Sequence, residues 1–230
     1  MWFAIDASSN CGPLRLVIGR LALMSDEERG RRGPKRSQQS RLAILTAAFE
    51  LIREAGYRGL TIEGIATRAG VGKQTVYRWW PTKADVLLEA AATKADLHVS
   101  TTDRGAFRDD LEQFLRDSFR LLRVPGLAEL LRSLMAESQI NPEFAQRFRE
   151  GFLNRRRAAL VEIVERAQMR GDAPVGTSAD LVADVVFGFI WYRVMATERS
   201  LEDADIVALL RLLAPTGIDP EVVAALPDQG

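Results

Sequence analysis

The chain has 230 residues, 47% of them hydrophobic, with 31 Lys and Arg balanced by 31 Asp and Glu. That apolar content excludes a largely disordered chain and suits one large domain or two small ones. A single cysteine, Cys11, excludes a disulfide framework and a cysteine-rich zinc site.

The lone cysteine also points to a reducing cytoplasm. No apolar run reaches the roughly 18 residues that a membrane-spanning helix needs, so no membrane partner is expected. Although the net charge is zero, it is unevenly spread. From Arg29 to Lys83 there are twelve Lys and Arg against three acids, Glu50, Glu54 and Glu63, which leaves that third at +9 and the remainder at −9. A basic module joined to an acidic remainder is the asymmetry of a nucleic-acid-binding protein.

Residues 1–24 lack an amphipathic period and contain a turn cluster, Ser8 to Pro13. Met24 precedes a polar run, SDEERGRRGPKRSQQS. Translation is expected to start at Met24, with 1–23 an upstream extension and 1–37 a flexible extension and basic arm. Lys35 and Arg36 on that arm suit phosphates or the minor groove. The first helix is predicted from about Gln38 to Ala55, on an apolar stripe of Leu42, Leu45, Phe49 and Ile52, with Gly56 as its stop. Thr61 is a good N-cap for a short second helix carrying Ile62, Ile65, Ala66 and Ala69, and Glu63 in its first turn complements the helix dipole. Gly70-Val71-Gly72 makes a tight turn. A third helix follows over about Lys73–Trp80, and Pro81 and Thr82 open a fourth over about Lys83–Leu97.

Two short helices joined by a glycine-containing turn and backed by a longer one form the helix-turn-helix pattern. Its second member enters the major groove with its N-terminal residues nearest the bases. Those are Lys73, Gln74 and Thr75. Lysine donates to guanine acceptors or phosphate, glutamine pairs with adenine, and threonine offers a hydroxyl or a methyl. Val76 points back toward the domain.

The stretch TIEGIATRAGVGKQTVYRWWPTK resembles the DNA-binding domain of the TetR family of bacterial transcriptional repressors, and the likeness covers about residues 38–96. The resemblance implies a backbone or base contact for Tyr77, a phosphate contact for Trp79, a core position for Trp80 and a phosphate contact for Lys83. Thr61 completes the expected DNA-binding set. Many members carry histidine or tyrosine where Trp79 stands, and an indole can donate but not accept.

Further amphipathic helices are predicted through Ala214. Phe107, Leu111, Phe114, Leu115 and Leu122 form one stripe; Leu127, Leu130, Leu131, Leu134 and Met135 form another. Asn141-Pro142 opens a long helix, Ser178 caps a strongly apolar one, and Glu202 to Leu213 forms the last. The fold class is therefore all-α. A head at 38–83 is joined to a helical bundle at 84–215, with a turn-rich tail from 216 to 230.

The sequence FGFIWYRVMATERSLEDADIVALLRLLAP is similar to the end of one TetR-family subgroup, which implies dimerisation through the last two helices. Val185, Val186, Phe189, Ile206, Leu209, Leu210 and Leu213 are the expected interface residues. A helix apolar nearly all round must be buried, and a dimer gives the head the two copies that an inverted repeat needs. The family also implies a ligand pocket, for which Phe114, Met135, Phe148, Phe152, Trp191 and Met195 are the aromatic and methionine candidates, suited to an apolar small molecule. His98, the sole histidine, lacks a catalytic partner in its flanking residues, and no hydrolase, metalloprotease, P-loop or dinucleotide fingerprint occurs. Neither cofactor nor metal is expected. The reading is a cytoplasmic, homodimeric, ligand-responsive repressor that binds double-stranded DNA. The alternative from another class is a helical protein–protein adaptor without sequence-specific DNA binding.

Overall fold

The computed structural model describes residues 34–174, 176–197 and 199–215, with side chains from residue 37 onward. The expected start at Met24, the arm before Pro34 and the tail from 216 lie outside the described residues. The chain divides into two units, 1–39 and 40–230. The described part of the first, residues 34–39, is the opening of helix α1 (Pro34–Gly59).

α1 begins four residues before the expected Gln38. Proline explains the difference: its fixed φ suits the first helical position, where its missing N–H removes nothing. Lys35 and Arg36 therefore belong to the opening turn of a helix instead of a loose arm, and their side chains lie outside the described residues. Ile44, Leu45, Ala48, Phe49 and Ile52 are buried on one face. Gly56 ends the regular helix at φ +65°, a conformation natural to glycine.

α2 (Ile62–Ala69) opens where Thr61 Oγ1 accepts from the Gly64 N–H at 3.0 Å and closes at left-handed Gly70. α3 (Lys73–Tyr77) is shorter than the predicted Lys73–Trp80. Pro81 disfavours helical backbone at Trp80, and the chain turns through Arg78 and Trp79 instead. α4 (Lys83–His98) begins with a capping box: Thr82 Oγ1 accepts from the Asp85 N–H at 3.3 Å, and Asp85 Oδ2 accepts from the Thr82 N–H at 3.1 Å.

The bundle follows as α5 (Phe107–Leu122), α6 (Leu127–Ile140), α7 (Pro142–Phe148), α8 (Asn154–Arg170), α9 (Ala179–Tyr192) and α10 (Asp203–Leu213). The predicted caps operate as expected. Asn141 Oδ1 accepts from the Phe144 N–H at 3.0 Å and Ser178 Oγ from the Leu181 N–H at 3.3 Å. The long helix predicted after Asn141 is interrupted by a widened π-type turn at Arg149–Leu153, which joins α7 to α8. A second such turn, Arg193–Thr197, follows α9. α4 packs on α5, α6, α7 and the first π turn, α8 on α5 and α9, and α10 on α5. α4 thus joins the helix-turn-helix to the middle of the bundle.

Candidate nucleic-acid interface and ligand cavity

The head presents the N-terminal edge of α3 outward because two residues pull its other side inward. Val76 is fully buried and Trp80 is 3% exposed. Gln74 and Tyr77 are exposed, and Thr75 is half-buried. The Lys73 ammonium pairs with the Glu63 carboxylate and lies 5.8 Å from the centre of the Tyr77 ring. Their hydrogen bond holds the Glu63 carboxyl below its usual range and the Lys73 ammonium above its own.

The two tryptophans differ in burial, and Trp80 takes the core position that the resemblance implied. Trp80 is in the core, and its indole N–H donates to Glu89 Oε2 at 2.9 Å. The other Glu89 oxygen receives Arg41 Nε at 2.6 Å. Trp79 is half-buried and stacks on Trp80, with centroids 5.9 Å apart. Arg41 and Arg78 approach the Trp79 ring, at 5.0 and 6.0 Å. These two arginines were absent from the sequence-derived set. The signal available was Arg78 next to Tyr77 and Arg41 on the first helix of a head already rich in basic residues.

Lys83 is turned inward. Its ammonium donates to the carbonyls of Tyr57 and Leu60, at 2.8 and 2.9 Å, and lies 4.3 Å from the centre of the Tyr57 ring. A lysine has three donors, so at most one remains for a phosphate. The break of α1 at Gly56 is the reason, because it leaves carbonyls at a helix end that need donors. Tyr57 also reaches the bundle, where its hydroxyl donates to Glu137 Oε2 at 2.9 Å.

Inside the bundle lies a partly open cavity with about 60 Å³ of interior space, walled by α4, α5, α6, the first π turn, α8 and α9 with the start of its π turn. Of the six residues expected to line it, Phe152 and Trp191 do. Phe114 and Phe148 are instead fully packed core, Met135 is half-buried away from the cavity, and Met195 is exposed. Leu121, Leu131, Phe187 and Ile190 take their place, with Ser118 and Arg156 as the polar wall residues. Arg156 is 9% exposed, and burial pushes its pKa down while Asp96 opposes the shift.

The chain matches the family model described as bacterial regulatory proteins, tetR family, over residues 44–90. It matches the tetracyclin repressor-like C-terminal domain over 101–213. It is 30% identical to the HTH-type transcriptional regulator AqdR of Rhodococcus erythropolis, over 73% of this chain and 80% of that protein. The protein belongs to the TetR family of transcriptional regulators. The crystal structure of TetR family transcription regulator SCO0332 superposes with a TM-score of 0.67 at 26% identity, covering 78% of this chain and all of that one. FadR of Bacillus subtilis, solved in complex with stearoyl-CoA, shares the fold at a TM-score of 0.60 and 24% identity, over 76% and 99% of the two chains. Membership decides for a DNA-binding regulator over the adaptor.

On the regulator's last two helices the residues expected at an interface divide by burial within the chain. Val186, Ile206, Leu209 and Leu210 are buried in the chain's own core, and only Val185, Phe189 and Leu213 keep part of their surface. The open apolar stripe is Leu181, Val185, Gly188 and Tyr192 on α9, beside Val207 and Leu212 on α10, with Tyr192 63% and Leu212 68% exposed. A Cβ built at Gly188 would meet nothing within 4 Å. Helices that are apolar on every side do not reveal in sequence which side faces their own bundle. Among the described residues no helix is long and apolar enough to cross a membrane.

Proposed function

We propose that this TetR-family regulator is a cytoplasmic, non-enzymatic homodimeric repressor. In this reading its two heads hold an inverted-repeat operator, and a small, largely apolar ligand in the bundle cavity releases it. The observation that carries the reading is the edge of α3: Lys73, Gln74 and Tyr77 lie on the outside of a helix locked from behind by Val76 and Trp80. Thr75 joins that edge. Thr61, Lys35, Arg36 and the flank of Trp79 with Arg41 and Arg78 supply the backbone contacts, and Lys83 contributes chiefly by fixing the end of α1 under them. Two heads about one helical turn apart, ~34 Å, match two half-sites. The shared fold with an acyl-CoA-bound relative supports a bundle ligand. Such a ligand acts only by its differential affinity for the DNA-competent and released states.

Selection of bound fragments from the protein's own genome tests this. One inverted repeat is expected to be enriched, with affinity falling steeply as salt rises. Gln74→Ala is expected to cost about 1–3 kcal/mol at one base position while leaving the salt slope unchanged. If no sequence is enriched, the repressor reading fails.

The dimer surface has its own test. A charge placed in an apolar interface loses its water without gaining a partner. Tyr192→Glu with Leu212→Glu is therefore expected to give a monomer by sedimentation and weak DNA binding. Val186→Ala, in the chain's own core, is expected to lower stability by about 1–2 kcal/mol and leave association intact. A double variant that stays dimeric would move the interface elsewhere.

A further inference from the structure

The cavity wall holds one cation, and that cation is short of partners. Arg156 stands in a run of three arginines whose other members are satisfied. Arg155 donates to Asp96 Oδ2 at 2.6 Å, and Arg157 binds Asp180 Oδ1 at 2.8 Å and Asp184 Oδ1 at 2.5 Å. Arg156 turns inward instead. The acid nearest to it, Asp96, is 4.0 Å away and already bonded to Arg155. The Arg156 guanidinium lies 5.5 Å from the centre of the Phe114 ring, and its Nη2 is buried without a hydrogen-bond partner among the described residues. Burying a charge costs several kcal/mol unless an opposite charge and hydrogen bonds offset it, and buried unsatisfied donors are rare. The other wall residues are apolar save for the Ser118 hydroxyl.

We propose that Arg156 is the anion-binding residue of the cavity and that the effector is a small organic acid. Its apolar body lies among Phe152, Phe187 and Trp191, and its carboxylate takes the free edge of the guanidinium. The inference rests on the reading of the cavity as the ligand site and adds the chemical class of the ligand. One buried cation matches one carboxylate; the several phosphates of a coenzyme A thioester exceed what this wall can neutralise.

Calorimetric titration of the full chain with decanoate, decan-1-ol and decanoyl-CoA tests it. Decanoate is expected to bind at least about tenfold more tightly than decanol, the lower end of what a charge-assisted hydrogen bond provides. Arg156→Met is expected to erase that preference and leave decanol binding as it was, whereas Arg156→Lys retains part of it. Should Arg156→Met fail to fold by circular dichroism, Arg156→Gln and Arg156→Lys carry the comparison. Equal binding of acid and alcohol by the unaltered chain, or a preference that survives in Arg156→Met, overturns the assignment while leaving the cavity as a ligand site. Decanoyl-CoA binding more tightly than decanoate, and equally in the unaltered chain and Arg156→Met, also overturns it, in favour of a thioester. If none of the three binds, the ligand-site reading falls and this inference with it. DNA binding, measured separately on the selected fragments, is expected to persist in every Arg156 variant without ligand.

Discussion

Trp80→Ala is expected to lower the unfolding free energy by about 3–5 kcal/mol, the range for removing a large buried aromatic. Trp80 is 3% exposed, and it links three pieces of the head. It follows α3, its ring stacks under Trp79, and its N–H donates to Glu89 on α4. Glu89 in turn holds Arg41 of α1. Alanine therefore leaves a cavity and also frees a carboxylate that had fixed two helices. DNA affinity is expected to fall as well, because the outward edge of α3 is positioned from behind. Trp79→Ala offers the contrast. It forfeits a stacked pair and two cation–π approaches, about 1.5–3.5 kcal/mol in sum and less than at Trp80, and is expected to weaken DNA binding with the fold intact. Urea unfolding followed by circular dichroism, alongside DNA binding, separates the two. Equal stability losses, or a larger one at Trp79, would reverse the roles given to the two rings.

Asp85→Ala is expected to cost about 2–4 kcal/mol, the sum of a lost N-cap partner and a lost charge-assisted hydrogen bond. The Asp85 carboxylate is buried at the start of α4. It accepts from the Thr82 N–H at 3.1 Å, the Thr82 hydroxyl at 2.7 Å and Arg147 Nε at 2.7 Å. One group therefore both starts α4 and ties it to α7. Arg147 precedes Phe148, whose ring meets Trp191 of the cavity wall edge-on at 6.4 Å. Asp85→Asn keeps an oxygen for Thr82 and is expected to lose about half as much. Arg147→Met leaves the cap intact and is expected to cost about 1–2 kcal/mol. Urea midpoints of the three variants give the order. An Asp85→Ala protein within about 0.5 kcal/mol of the unaltered chain would show that the cap and the tie carry no net stability.

The head was legible because its punctuation is local. Thr61, Gly70, Gly72, Pro81 and Thr82 each act on neighbours within a few residues, so their positions set the helix ends. The bundle's helices were legible for the same reason at Asn141 and Ser178. Which side chain faces which void was not. Phe114 and Phe152 are equally apolar, but one is core and the other cavity wall. The choice depends on how helices distant in sequence rotate against one another. The same limit misplaced Val186 and Leu210, and it hid the inward turn of Lys83, whose partners are 23 and 26 residues away. Arg156 did leave a trace. It falls four residues after Phe152 and four before Leu160, a charge within an otherwise apolar stripe. An arginine triplet looks like a solvated surface until that period is counted.

The pair formed by Glu63 and Lys73 has a further consequence at the DNA. Lys73 stands at the opening of α3 with its ammonium already committed to a carboxylate. In the proposed reading a guanine or phosphate acceptor shares the Lys73 ammonium with Glu63, which occupies one of its three donors, or displaces that carboxylate. On that reading the head carries its own competitor, an exposed pair whose pull on Lys73 weakens as salt rises. Discrimination between sequences is then expected to fall chiefly on Gln74, the exposed amide beside that shared cation.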